Sequence, residues 1–267
     1  LERISTVKGN GNNDSTAASL GLEYLSNPLW KATGKVDFRW ADTTDTILNQ
    51  LGLAWKLNRD WTLLARNTIS LADNKKTGNK LLDRFQMGFA WRQVDTNRWD
   101  ALTKIEYKLE DDRSVATQII DRDAVIFSTH VNYHPVRRWT LGGNYAGKFV
   151  NDNSGAGAVD STTHMVGARV IHDITERWEA SVQGGQIWDD DGLSRHVLGV
   201  ETGYMVMTNF WVSGGYNFVS YDDGDLVGND YTVDGFYLRF RFKFDEDLFS
   251  ARKPGINKTL EPENVSP

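Results

Sequence analysis

Cysteine is absent from the 267-residue sequence, which excludes a disulfide scaffold and any thiolate metal site. Proline occurs only five times, so few elements are interrupted by it. No stretch approaches the roughly 18 consecutive apolar residues that a membrane-spanning helix needs. An excess of positive charge is missing too: 30 Lys and Arg against 36 Asp and Glu give −6, a balance that argues against nucleic acid as a partner. The first residue is Leu1 and no signal peptide is recognisable. The sequence is therefore expected to be a mature form or a piece of something longer.

What the chain does have is aromatics and glycine, with 10 Trp, 9 Tyr, 12 Phe and 24 Gly. Few chain breakers and many aromatics suit a large antiparallel barrel. The clearest stretch lies in YTVDGFYLRFRFKFDEDLF. Phe236, Leu238, Phe240, Phe242 and Phe244 point one way, and Tyr237, Arg239, Arg241 and Lys243 the other. A two-residue period predicts a strand. One face is greasy and aromatic, the other largely cationic. A transmembrane barrel strand turns the first to lipid and the second to a wet or plugged lumen.

The alternation recurs along the chain. Trp30, Ala32, Val36, Phe38 and Trp40 oppose Lys31, Lys35, Asp37 and Arg39. Leu63, Ala65 and Ile69 oppose Thr62, Arg66 and Thr68, with Asn67 breaking the outer face and Leu64 the inner. Phe85, Met87 and Phe89 oppose Arg84, Gln86 and Arg92; Ile105 and Tyr107 oppose Lys104, Glu106 and Lys108. Leu1 to Val7 reads as a first strand, and further strands read at 125–133, 139–150, 162–172, 178–188, 194–207 and 210–221. The expected fold is all-β, a transmembrane antiparallel up-and-down β-barrel of about 14 strands, an even number. It is expected to occupy residues 1–249, with a polar tail at 250–267.

Connections after even-numbered strands read as short turns. Those after odd-numbered strands read as mostly longer loops holding DNKKTGNK, LEDDRSVATQIID, DNSGAGAVD, WDDDG and YDDGDLVGND. A barrel keeps short turns on its periplasmic side, so both termini are expected in the periplasm. Trp61, Trp99, Trp139 and Trp178 leave the short turns beside Arg or Arg-Asp, and Trp211 follows Phe210. They predict an aromatic girdle at the headgroup level, with Arg suited to the phosphates of outer-membrane lipid and lipopolysaccharide. Phe240, Phe242 and either Phe244 or Phe249 form the C-terminal aromatic signal expected to meet the barrel assembly machinery. Parity favours Phe244; Phe249 would need a bulge or a strand end before it.

The inner face is rich in charge. Its cations are Lys31, Lys35, Arg39, Arg66, Arg84, Arg92, Lys104, Lys108, Lys148, Arg169, Arg239, Arg241 and Lys243. Its anions are fewer: Glu23, Asp37, Glu106, Glu110, Glu179, Glu201 and Asp245. Such an excess favours anion passage through an open pore; alternatively the charges pair across neighbouring strands and fill the interior. Ser128, His130, Asn132 and His134 share one strand face, but by parity they point inward, away from lipid. No catalytic site, metal site or cofactor is expected. The acidic tips Asp189, Asp190 and Asp191, and Asp222, Asp223, Asp225 and Asp230, lack EF-hand spacing.

Several motifs carry a resemblance. ITERWE (174–179), GYMVMTNFWVSGGYNFVSYDDGDLVGNDYT (203–232) and GFYLRFRFKFDEDLF (235–249) stand near the C-terminus. LGLEYL (20–25), FRWADTTD (38–45) and LGLAWKLNRDWTLLARN (51–67) stand upstream. They resemble the C-terminal regions of very large surface proteins of Gram-negative bacteria whose upstream parts are arrays of Ig-like or SdrD-like repeats. The resemblance implies an outer-membrane barrel that anchors or exports a longer polypeptide, possessing an upstream repeat region as a partner in the same chain. It carries no catalytic residue across. A freestanding porin-like channel with weak anion preference is the alternative, and a soluble β-rich binding domain, monodisperse without detergent, is a third.

Overall fold

The structure, a computed structural model, describes residues 2–4, 15–115, 118–154, 157–207, 210–219 and 234–242. Among these, strict alternation of apolar and polar side chains yields strands and no helix. They are β1 (Glu2–Ile4), β2 (Ser15–Tyr24), β3 (Trp30–Ala41), β4 (Thr44–Lys56), β5 (Trp61–Asn74), β6 (Gly78–Arg92) and β7 (Trp99–Asp112). There follow β8 (Ile120–Tyr133), β9 (Trp139–Asp152), β10 (Val159–Asp173), β11 (Trp178–Asp189), β12 (Ser194–Met207), β13 (Phe210–Val219) and β14 (Gly235–Phe242). All fourteen belong to one sheet in sequence order, the up-and-down arrangement expected. Lys243, Phe244, Phe249 and the tail at 250–267 lie outside the described residues.

Two compact units divide the chain. Unit one holds Leu1–Ala90, Thr103–Phe127 and Lys148–Thr162; unit two holds Trp91–Leu102, Ser128–Gly147 and Thr163–Pro267. Each has the same two faces. In unit one Ile105 and Tyr107 are 41% and 40% exposed while Glu106 between them is 0% exposed. In unit two Val182 and Val200 are 46% and 41% exposed against 2% for Gln183 and 6% for Glu201. Apolar side chains on the open face and charged ones on the shielded face invert the pattern of a water-soluble domain. The shielded face of unit two also buries Ala146, Met165, Ile187, Val197 and Met205, an apolar component that the charge inventory did not predict.

Asn67, which broke the outer face in the sequence, donates to Asp83 Oδ1 at 2.8 Å. Two polar groups on the apolar face thus satisfy one another, as burial in lipid requires.

Between the described strands the expected sorting of loop lengths is weak. Setting aside 5–14, 208–209 and 220–234, which lie wholly or almost wholly outside the described residues, the connections 42–43, 75–77, 113–119, 153–158 and 190–193 are no longer as a group than 25–29, 57–60, 93–98, 134–138 and 174–177. Much of the polar sequence expected to be loop is strand, because cross-strand polar pairs carry the ladder onward. Lys80 Nζ meets Asp112 Oδ2 at 2.6 Å, Arg122 pairs with Asp152, and Lys75 Nζ meets Asp45 Oδ1 at 3.3 Å. Backbone bonds follow them, Arg113 N–H to Asn79 O at 2.9 Å and Asn153 N–H to Asp121 O at 2.7 Å.

A strand crosses the hydrocarbon in roughly 9–11 residues. Counted from the Trp residues that open β7 and β9, Asp112 and Asp152 therefore lie beyond the membrane. Lys80 and Ser114 hold the Asp112 carboxyl down to about 2, and Ser154 and Arg122 hold Asp152 down to about 2. A carboxyl with a depressed folded pKa contributes stability above its unfolded value and loses it as pH falls through the folded one. The hairpin tips should thus keep their amide-exchange protection at about pH 4, the ordinary carboxylate range, and lose it only near pH 2. Fading of the Arg113 amide's protection already around the ordinary carboxylate value would remove Asp112 from this account.

Candidate functional site: the inner polar face

Register explains how the inner charges meet. In unit two Ser181 lies opposite Glu201, Glu201 opposite Gly215, and Gly215 opposite Tyr237, one row across β11 to β14. Gly215 has no side chain, so the Tyr237 ring crosses it and its hydroxyl donates to Glu201 Oε2 at 2.8 Å. Arg169 reaches over β11 from the other side, donating to Ser181 Oγ at 3.0 Å and Glu201 Oε1 at 3.1 Å. Arg239 Nη1 stands 3.4 Å from Glu201 Oε2. The next row repeats the device. Gly203 lies opposite Glu179, and Arg241 crosses two strands to donate to both Glu179 oxygens at 2.9 and 3.2 Å. In unit one Glu106 accepts from Arg84, from Gln86 at 2.8 Å and from Lys104 at 3.0 Å.

Of the charged residues predicted for this face, Arg84, Lys104, Glu106, Arg169, Glu201, Arg239 and Arg241 thus join ion-paired clusters. Lys35 pairs with Asp37 at 2.8 Å. Arg92 donates to Asn97 Oδ1 at 2.6 Å, where Asn97 takes φ of 50° in the turn, a conformation Asn tolerates. Lys31, Arg39 and Arg66 are exposed, Arg39 within 3.4 Å of Ser15 Oγ. Lys108 and Lys148 are half-buried. Sequence reasoning assigned no role to Gly203, Gly215, Ser181 or Tyr237. Their signal is a small residue on the strand between two long charged ones, legible only once register is known.

His134 is gripped at both ring nitrogens, by Asp100 at 3.2 Å and Thr140 at 3.0 Å, while Asn132 donates to Asp100 at 2.8 Å. This is a hydrogen-bonded wall of the inner face. No cluster of His, Asp and Glu suited to a metal ion occurs among the described residues.

No family model matches the chain, and no curated protein matches it. Solved structures do. The siderophore receptor PirA from Pseudomonas aeruginosa aligns with a TM-score of 0.64 at 10% identity, over 87% of this chain and 50% of its own. A mutant of the ferric enterobactin receptor PfeA from the same organism aligns at 0.60 and 9% identity, over 80% and 42%. The siderophore receptor PirA from Acinetobacter baumannii gives 0.60 and 9% identity, over 80% and 42%. This is an outer-membrane β-barrel fold. The chain spans half or less of the length of these receptors, and likeness at such identity concerns the fold alone.

In an outer-membrane β-barrel the aromatic ends of the strands face lipid headgroups. Trp61, Trp99, Trp139 and Trp178 are 42%, 39%, 40% and 47% exposed. In unit two, three of them lean on an aromatic ring near the end of a neighbouring strand: Trp99 on Tyr133 at 4.3 Å, Trp139 on His172 at 4.3 Å and Trp178 on Tyr204 at 4.8 Å. Trp211 corrects the prediction. It lies opposite Met205, on the buried face with Ser213 and Asn217, and the Arg241 guanidinium sits 4.7 Å from its ring centroid. The cause is parity: β13 starts at Phe210, as read, so Trp211 is its second residue and shares the inner face with its partner Arg241. Phe210 takes the outward position and faces Phe240 at 6.4 Å. Phe240 is itself 57% exposed, with Leu238 at 63% and Phe236 at 91% on the same face.

Proposed function

We propose that this barrel resides in the outer membrane of a Gram-negative bacterium and serves as the membrane anchor or export domain of a longer repetitive surface polypeptide. The observation that carries this reading is the pairing of the inner cations. Arg84 and Lys104 face Glu106, Arg169 and Arg239 face Glu201, and Arg241 faces Glu179. A cation held against a carboxylate contributes little field to a passing anion, whereas cross-strand pairs stiffen a wall that must hold a load. The termini lie in the periplasm on this reading, the exposed Trp residues sit among lipid and lipopolysaccharide, and the C-terminal aromatics engage the barrel assembly machinery. The repeat array belongs upstream of Leu1.

A second reading, a porin-like channel with weak anion preference, draws on the exposed Lys31, Arg39 and Arg66. Planar-bilayer recording of the purified chain separates the two, with the reversal potential taken under a salt gradient. The anchor reading expects inserted barrels that are silent or pass a small current without ion preference. A large, steady, anion-selective conductance would overturn it in favour of the channel.

A further inference from the structure

We infer that the lipid-facing surface of unit two holds one anionic phospholipid in a fixed place, an acyl chain lying in a trough across β11, β12 and β13. Register lays this face out in rows. Ala180 lies opposite Thr202 and Thr202 opposite Gly214; on the next row Val182 lies opposite Val200 and Val200 opposite Tyr216. Small side chains thus follow one another across three strands, and a trough of about 690 Å³ runs over them. Rings close both ends. Trp139 leans on His172 at 4.3 Å at one end, and Tyr216 stands edge-on to Phe236 at 4.8 Å at the other. The floor is apolar, because its one hydroxyl, on Thr202, donates to the Glu179 carbonyl oxygen at 3.1 Å.

The trough is inclined. Trp139 opens β9, Ala180 is the third residue of β11, Gly214 the fifth of β13 and Tyr216 the seventh. It therefore starts at the headgroup level marked by Trp139 and Trp178 and sinks into the hydrocarbon, as the stagger of tilted strands dictates. At the shallow end the exposed Arg138 and Arg177 adjoin those two Trp residues. Arg177 Nη1 stands 3.4 Å from the Tyr204 hydroxyl, whose ring packs on Trp178. Guanidinium above an apolar slot matches an amphiphile with a phosphate head. Size agrees, since about 690 Å³ equals roughly twenty-three waters at about 30 Å³ each, the bulk of one fatty-acyl chain. A second copy of the barrel fits worse. A stable protein interface needs about 800 Å² a side, whereas a slot between standing rings, with rows about 7 Å apart, admits a thin flexible chain. The inference rests on residence in the membrane and stands apart from the anchor reading.

Native mass spectrometry of the whole 267-residue chain, folded and delipidated in detergent micelles, tests it by titration with palmitoyl-oleoyl phosphatidylglycerol, the phosphatidylcholine of the same chains, and lipid A. Heat-modifiable gel migration certifies folding of each variant, so loss of the site is distinct from loss of the barrel. One phosphatidylglycerol retained where further copies do not bind is expected. Phosphatidylcholine should be held about fivefold more weakly, and Arg177→Gln should weaken phosphatidylglycerol by about the same factor, the effect of one charge near the headgroup. A Cβ at Gly214 meets nothing nearer than the Tyr237 carbonyl oxygen at 3.9 Å, so Gly214→Leu fills the trough without straining the sheet and should abolish retention of both phospholipids. Val166→Leu, on the lipid-facing side of β10 outside the trough, should change nothing. A folded wild-type chain that retains no phosphatidylglycerol overturns the inference. So does equal retention of the two phospholipids, stronger retention of lipid A, or retention unchanged in folded Gly214→Leu. A dimer that forms in place of the lipid complex and is lost in Gly214→Leu would assign the trough to a second copy instead.

Discussion

Glu201→Ala should lower the unfolding free energy of the barrel by about 3 kcal/mol, the lower part of the range for removing one partner of a buried ion cluster. Glu201 is only 6% exposed and receives the Tyr237 hydroxyl, Arg169 and Arg239. Its removal leaves two guanidinium groups and a phenol facing each other without an acceptor. Partial hydration limits the damage, since the Arg169 and Arg239 side chains are 24% and 38% exposed. Glu201→Gln keeps the volume and the Tyr237 bond, so only the charge is lost, and about half that cost is expected. Equilibrium urea unfolding in micelles, followed by Trp fluorescence, measures both. A Glu201→Ala barrel within about 0.5 kcal/mol of wild type, the scatter of ordinary surface substitutions, would mean that the cluster is solvated and holds nothing together.

That cluster marks where the sequence stops being legible. Alternation alone placed Arg239, Arg241 and Glu201 on one face and Leu238 and Phe240 on the other, because a two-residue period fixes direction without knowledge of neighbours. It also fixed the start of β5, β7, β9 and β11 at a Trp. Which carboxylate meets which cation depends on register, and register spans β11 to β14 through partners far apart in sequence, such as Arg241 and Glu179. Composition misled at the hairpin tips, where Lys80, Asp112 and Asp152 read as loop residues yet zip adjacent strands, Asp152 by pairing with Arg122. Trp211 misled for a related reason: four Trp residues that open strands suggested a fifth, but Trp211 is the second residue of a strand that opens at Phe210, and alternation turns its ring inward.

Gly215→Ala should cost about as much as losing Glu201, although it adds only a methyl group. A Cβ at Gly215 would collide with the Tyr237 ring and come within 2.6 Å of the Val200 carbonyl oxygen. The ring can swing away, at the loss of its 2.8 Å bond to Glu201; the carbonyl belongs to the β12 ladder and cannot. Overpacking of this kind costs about 1–3 kcal/mol, and the lost Tyr237 hydrogen bond to the carboxylate adds about 1 more. The neighbouring Gly214→Ala is the control. Its Cβ points to the open face, where the nearest atom is the Tyr237 carbonyl oxygen at 3.9 Å, so the change should be neutral or gain a few tenths of a kcal/mol from reduced chain entropy. Pairing Gly215→Ala with Tyr237→Ala divides the cost between ring and backbone. If the ring is the main obstacle the double variant is more stable than the sum of the single losses predicts. Strict additivity would assign the damage to the Val200 carbonyl and leave Tyr237 a minor part in holding β14 to the sheet.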